Sequence, residues 1–309
     1  MPDLVIDAEH LRKQYRTPAG GARWAVDGVD LRVARGDVHG FLGPNGSGKT
    51  STIRMLLGLT RATSGTMALF GEPVPERQPS VMGRIGAVVE SPKFSPGLTG
   101  RHNLLLLSRS VGIADSTVDR ALETVGLTQR AKQKYKGYSL GMKQRLAVAA
   151  TLLRDPELLI LDEPSNGLDP AGIRENREMI RSLAERGVTV LLSSHVLAEV
   201  QQVCTAVTIL GRGRTLASGP VGDLLTPTAG VRLVPTDVDR AMTALEAAQV
   251  SVRRDDTALV VDGTTAERVS ELLAGSGVWL HELTPVRRDL ESVYLELTAG
   301  QDLAAEGAA

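Results

Sequence analysis

Residues 38–50 read VHGFLGPNGSGKT, a short strand pattern that feeds directly into a glycine-rich turn. Helical spacing follows at TSTIRMLLGL, residues 50–59. Gly43, Pro44, Asn45, Gly46, Ser47, Gly48, Lys49 and Thr50, with Ser51 behind them, match a phosphate-binding loop in its required setting between a strand and a helix. The glycines let consecutive backbone N–H groups converge on phosphate oxygens, and the helix presents its positive end to the same anion. Lys49 is expected to bridge the outer phosphates, and the Thr50 hydroxyl to ligate magnesium.

A second run, LLILDEP at 158–164, is short and continuously apolar, the pattern of a strand covered on both faces. Asp162 at its end is suited to hold magnesium, usually through water, and Glu163 to orient and deprotonate an attacking water. Two acids at a strand end also suit a solvated loop; a phosphate loop upstream favours the catalytic reading. Together the two motifs imply binding and hydrolysis of Mg-ATP or a related nucleotide, without saying which kind of hydrolase this is.

Residues 4–10 and 29–42 alternate like strands, 64–71 read as a turn and a short strand, and 187–195 as another buried strand after a helical stretch at 171–185. From about 96 to 153 the pattern is mostly helical, with breaks at Gly112, Gly126 and Gly137. Strands alternating with helices imply an α/β fold with a mainly parallel sheet, interrupted by a helical insertion. The composition shifts near Gly219-Pro220. Beyond it the order is strand 231–234, helix 237–248, strands 250–254 and 257–261, helix 265–274 and strand 278–283. That is the βαββαβ order of a ferredoxin-like fold, followed by a last helix at about 289–298.

Lys+Arg of 35 against Asp+Glu of 36 leaves a net charge of -1, so no global field recruits nucleic acid or anionic lipid. No stretch approaches the roughly 18 apolar residues of a membrane span, and the first sixteen residues lack an apolar signal core. The single cysteine, Cys204, cannot pair within the chain, which fits a reducing compartment; it reads as a small buried hydrophobe.

The stretch YSLGMKQRLAVAATLLRDP, Tyr138 to Pro156, decides among the hydrolases. It resembles the signature motif of ATP-binding-cassette (ABC) ATPases, and residues 4–220 are similar to that superfamily in the order and spacing of its motifs. Ser139 and Gly141 fall on the signature serine and second glycine, while Leu140 and Met142 replace the more usual glycine and glutamine. SNGLDP, Ser165 to Pro170, resembles the D-loop, with Asp169 as its aspartate. His195, in LLSSH, falls on the switch histidine that senses the terminal phosphate, and Tyr15 on the aromatic position that stacks on adenine. A strand-end tyrosine packed on the sheet is the lesser alternative for Tyr15. After IGAVV the usual glutamine is replaced by Glu90, still able to ligate magnesium but adding negative charge beside the phosphates. The run from IGAVV to Leu104 resembles the bacitracin and lantibiotic-immunity branch, and implies that Glu90 to Leu98 faces a permease. Lys132, Lys134, Lys136 and Lys143 surround the signature, as a solvated helix face or as neighbours of a partner's phosphates.

The resemblance implies an ABC-type ATPase domain at 1–222 with a helical subdomain at about 91–153, an accessory α+β domain at 223–300 and a flexible tail at 301–309. It implies ATP and magnesium as ligands, with Glu163, His195 and Lys49 catalytic, and Thr50, Asp162 and Glu90 at the metal. It also implies a second ATPase subunit, with a homodimer favoured, whose Ser139 and Gly141 complete each site. A separate transmembrane permease would place the chain peripherally on the cytoplasmic face, with export of antibiotics, peptides or other amphiphiles as the work done and no nucleic-acid partner. A cassette ATPase of translation or DNA repair is the alternative. Against it stand a single phosphate loop and the lack of heptad arrays or CxxC pairs. The C-terminal domain also suits a ligand-sensing or dimerisation module.

Overall fold

In the computed structural model the described residues are 3–17, 20–89, 93–225, 230–285 and 289–298. Glu90 and the expected tail at 301–309 lie outside them. The chain divides between Val221 and Gly222 into two compact units.

The first unit opens with β1 (Leu4–Arg16) and β2 (Ala22–Ala34), which pair antiparallel. The alternation at 29–42 is therefore two strands: the chain turns at Arg35–Asp37, with Gly36 at φ 81°, before β3 (Val38–Leu42) enters a different sheet. Strand β1 also runs past residue 10. His10 has φ 50° and the register shifts between Ala8 and Leu11, which breaks the two-residue period that sequence reading follows.

After α1 (Lys49–Leu56) come β4 (Ser64–Leu69), β5 (Glu72–Val74), α2 (Gln78–Val81) and β6 (Ile85–Val88). The helical insertion holds α3 (Gly100–Ser110), α4 (Asp115–Thr124) and α5 (Leu140–Leu152). Gly112 and Gly126 follow α3 and α4 with φ of 72° and 67°, where a side chain would strain the backbone. The unit continues through β7 (Leu158–Leu161), α6 (Pro170–Glu185), β8 (Thr189–Ser194), α7 (Leu197–Gln201), β9 (Ala206–Gly211), β10 (Arg214–Pro220) and α8 (Val221–Leu224) at the boundary.

Two sheets result, ordered β2-β1-β4-β5 and β10-β9-β3-β8-β7-β6. The second is parallel except for β10 against β9. Every residue of β3, β7 and β8 is buried, as their apolar runs require. One core joins Ile6, Val29 and Leu69 of the antiparallel sheet to Ile53 and Leu56 of α1 and to Phe41, Ile160 and Leu191 of the parallel one. Because β8 lies between β3 and β7, the carboxyl ends of all three strands come out side by side. Such a row of strand ends is where open α/β sheets bind ligands.

The second unit consists of β11 (Gly230–Pro235), α9 (Val238–Ala247), β12 (Ser251–Asp255), β13 (Ala258–Asp262), α10 (Ala266–Gly275), β14 (Leu280–Pro285) and α11 (Leu290–Thr298). Its antiparallel order β12-β13-β11-β14 is the ferredoxin-like arrangement expected from the element order. Val231, Leu233, Leu259 and Val261 on the sheet pack against Ala241, Leu245, Val269 and Leu273 of the two helices.

Candidate nucleotide site

The glycine-rich loop leaves β3 at Gly43 and enters α1 at Lys49. Glycine is forced at two places. A Cβ at Gly43 would sit 2.6 Å from Ser47 Oγ and 2.7 Å from the Leu210 carbonyl, and one at Gly48 2.6 Å from the Ala25 carbonyl. Gly48, with φ 104°, is the N-cap of α1 and provides no side-chain cap, so the first-turn N–H groups have no side-chain partner there. Ser47 is buried, and its Oγ has no hydrogen-bond partner among the described residues. A buried hydroxyl left unpartnered is costly unless a ligand satisfies it.

Lys49 is buried as well, at 4% exposure. Its Nζ donates to the Gly43 carbonyl at 2.6 Å and lies 3.2 Å from Glu163 Oε1. The other Glu163 oxygen, Oε2, lies 2.7 Å from His195 Nδ1. Thr50 Oγ1 donates to Asp162 Oδ2 at 2.8 Å. The three strand ends thus bring Lys49, Thr50, Asp162, Glu163 and His195 into one connected network, although up to 146 positions separate them in sequence.

Ser193 ties this network together, and sequence reading missed it. Its Oγ donates to Asp162 Oδ1 and accepts from the Glu163 N–H at 2.9 Å. Glu163 has φ 50°, a left-handed conformation unfavourable for a non-glycine residue, and this hydrogen bond holds it there. The signal in sequence was slight: the first of two serines in the expected strand LLSSH, two residues before the histidine that drew attention.

A cleft of about 360 Å3 beside the loop is lined by Asn45 to Ser51, Glu163, Tyr15, Ala25 and Arg23. Tyr15 is 39% exposed, with Lys13 Nζ 5.1 Å from its ring centroid. It is therefore open to the cleft rather than packed into the sheet. Arg23, another residue not singled out from sequence, faces Tyr15 across the β1–β2 ladder.

Ser139, Gly141 and Asp169 do not line this cleft. Ser139 caps α5 by accepting from the Met142 N–H at 3.2 Å, and Asp169 caps α6 by accepting from the Gly172 N–H at 2.8 Å. The two caps are neighbours, since a Cβ on Gly141 would lie 3.6 Å from the Leu168 side chain. Lys132, Lys134 and Lys136 are exposed, whereas Lys143 is half-buried with Nζ 5.5 Å from the Tyr135 ring centroid.

Residues 26–166 match the ABC transporter family, and 229–291 match a family described only as a domain of unknown function. The bacitracin transport ATP-binding protein BcrA of Bacillus licheniformis is 46% identical over 222 residues, 71% of each chain. The protein of the same name in Enterococcus faecalis is 35% identical over 98% of this chain and 99% of its own. Among solved structures, cbiO1 from Clostridium perfringens, part of the ABC transporter complex cbiONQ, superposes with a TM-score of 0.63 at 25% identity, covering 72% of this chain and 90% of that one. The connected phosphate-loop network and these relatives together place the chain in the ABC transporter family, among its ATP-binding ATPases.

Proposed function

We propose that this chain energises a separate membrane permease by closing around ATP as a dimer and reopening after hydrolysis, and that the work done is export of an amphiphilic compound such as a peptide antibiotic. The observation that carries the catalytic part is the Glu163 carboxylate shared between Lys49 and His195, beside a buried Ser47 hydroxyl with no partner among the described residues. The loop N–H groups, Ser47 and Lys49 bind the phosphates, and Tyr15 stacks on the base. Glu163 orients the attacking water and takes its proton at the carboxylate, while His195 holds that carboxylate and senses the terminal phosphate.

Thr50 and Asp162 offer a hydroxyl and a carboxylate oxygen 2.8 Å apart, hard donors that suit magnesium with water and phosphate completing its shell. Glu90 is the further candidate ligand. Bound magnesium neutralises charge on the phosphates.

Ser139, Gly141 and Asp169 are assigned to the opposite subunit's nucleotide, which accounts for caps that lie outside this chain's own cleft. Residues 1–222 form the ATPase domain and 223–300 the accessory domain. Among the described residues no helix is long and apolar enough to cross a membrane, so the spanning part is assigned to the permease and the chain to its cytoplasmic side. The bacitracin transport relatives support export over a translation or repair role.

The test is affinity purification of the chain from gently solubilised native membranes. A stoichiometric multi-span protein is expected. Recovery only from the soluble fraction, with ribosomes or nucleic acid attached, would overturn the transport reading and leave the ATPase intact.

A further inference from the structure

A cavity of about 650 Å3, larger than the nucleotide cleft, lies elsewhere in the first unit. It is bordered by Gly83 before β6, Pro156 before β7 and Val188 before β8, the opposite ends of the strands from the phosphate loop. Across from them stand α4 and the segment after α3, so the cavity separates the helical insertion from the sheet core. Its volume falls within the range of about 300–1,000 Å3 typical of small-ligand sites.

The lining has two characters. Ala121, Leu153 and Leu183 are buried apolar residues, joined by Ile113 and Leu152. Arg120, Arg154 and Arg186 are exposed at its edge, with Asp155 as the one acid in the lining. Three other arginines of this unit are matched to acids, Arg101 to Asp119, Arg109 to Asp115 and Arg145 to Glu175. The three at the cavity have no acidic partner among the described residues. Arg186 Nη1 donates to Thr124 Oγ1 at 2.9 Å and Arg120 Nη2 reaches Thr117 Oγ1 at 3.4 Å, while Arg154 makes no side-chain hydrogen bond there. Three cations at the rim of an apolar floor complement a molecule that is apolar along its body and anionic at one end.

We propose that this cavity binds a small amphiphilic anion, an apolar body bearing one carboxylate, sulfonate or phosphate group, and that occupancy there tunes ATP hydrolysis. The route to the site is short. Leu152 ends α5, whose other end is capped by Ser139, and thirteen helical residues span about 20 Å. Pro156 leads into β7, whose other end carries Asp162 and Glu163. A ligand that bridges α4 to α6, now joined by the Arg186–Thr124 hydrogen bond, fixes the insertion against the core. It thereby couples to nucleotide binding in whichever arrangement fits both.

The test uses the full chain saturated with ADP, so that the nucleotide cleft is filled. The probe is 8-anilinonaphthalene-1-sulfonate, followed by fluorescence, with N-phenyl-1-naphthylamine as its uncharged counterpart and decanoate as a competitor. Saturable one-to-one binding of the sulfonate, displaced by decanoate, is expected. The double variant Arg120→Ala with Arg154→Ala should weaken it at least about tenfold, the loss of one charge-assisted contact, while leaving ADP affinity and the uncharged probe unchanged. Lysine at both positions should restore most of the affinity. Sulfonate binding that is absent, displaced by ADP, or equally tight in the alanine variant would overturn the proposal. An equal loss of the uncharged probe would also overturn it, because the arginines would then support the cavity's shape rather than read a charge.

Discussion

Glu163 Oε2 lies 2.7 Å from His195 Nδ1, linking the end of β7 to the end of the neighbouring β8. The geometry requires the carboxylate and the ring to move as one, with the second carboxylate oxygen on Lys49. Replacing Glu163 by Gln keeps the shape and one contact oxygen, puts an amide nitrogen in place of the other, and removes the base. ATP affinity should stay within about threefold and steady-state hydrolysis should fall about a hundredfold or more, the usual reach of a positioned general base. Phosphate release and equilibrium binding, measured on one preparation, check this; a variant that turns over normally removes Glu163 from the reaction.

Lys49 behaves differently because its ammonium group is buried with two carbonyl oxygens and Glu163 around it. Its charge is committed to binding as well as to catalysis. Lys49→Ala should weaken ATP binding at least about tenfold, since a hydrogen bond from a charged group contributes about 1.5–3 kcal/mol. Calorimetric titration with ATP is the measurement. Unchanged affinity with slowed hydrolysis would mean that the lysine acts only on the transition state.

Much of this site was legible because its chemistry is local in sequence. The loop from Gly43 to Thr50 carries its own strand, turn and helix, and Asp162-Glu163 ends a continuously apolar run whose two acids gain a catalytic reading from the phosphate loop upstream. The convergence was not legible, because it depends on β8 lying between β3 and β7, and strand order leaves no trace in periodicity. Ser193 went unnoticed for that reason: its role exists only once β7 and β8 are neighbours. The boundary inside 29–42 was lost because alternation persists on both sides of the turn, and only Gly36 marks it. The ferredoxin-like unit was readable because six short elements alternate cleanly between two periods. The large cavity was not, since its lining comes from segments between residues 83 and 188.

Ser193 gives a third prediction. Its hydroxyl satisfies both the Glu163 N–H and one Asp162 oxygen, and Ser193 is fully buried. Ser193→Ala strands two polar groups, at a cost of about 1–3 kcal/mol each when no water replaces the hydroxyl. Part of that cost is relieved if Glu163 leaves its left-handed conformation. Hydrolysis should therefore fall at least about tenfold while ATP affinity changes little, and urea unfolding should show lower stability. Lowered stability with undiminished turnover would show that the serine supports the sheet and not the position of Glu163.

The fourth prediction concerns His39, on β3 behind the phosphate loop. It is 2% exposed, with Nε2 2.9 Å from Thr208 Oγ1 and Nδ1 unpartnered among the described residues. Burial pushes its pKa down from 6.5 to about 4. The unfolded chain therefore takes up this proton before the folded one as pH falls. The stability at stake is fully present above pH 6.5 and is lost progressively towards pH 4. A shift of that size implies a loss of about 2 kcal/mol between pH 7 and pH 5. Glu157, held down to about 2 chiefly by its hydrogen bonds from Arg84, changes stability in a lower window, below 4.5. The two residues therefore separate by pH. Replacing Trp279 by Phe leaves Trp24 as the one tryptophan, so that urea unfolding followed by its emission reports the first unit alone. In that background His39→Leu removes the titrating group, and Thr208 keeps Ser218 as a partner at 2.8 Å. The difference between the two proteins should grow in favour of the leucine variant from pH 7 to pH 5. Parallel curves across that range would mean that His39 binds its proton in the folded chain as readily as in the unfolded one, through an opening of the β3–β9 pairing that admits water.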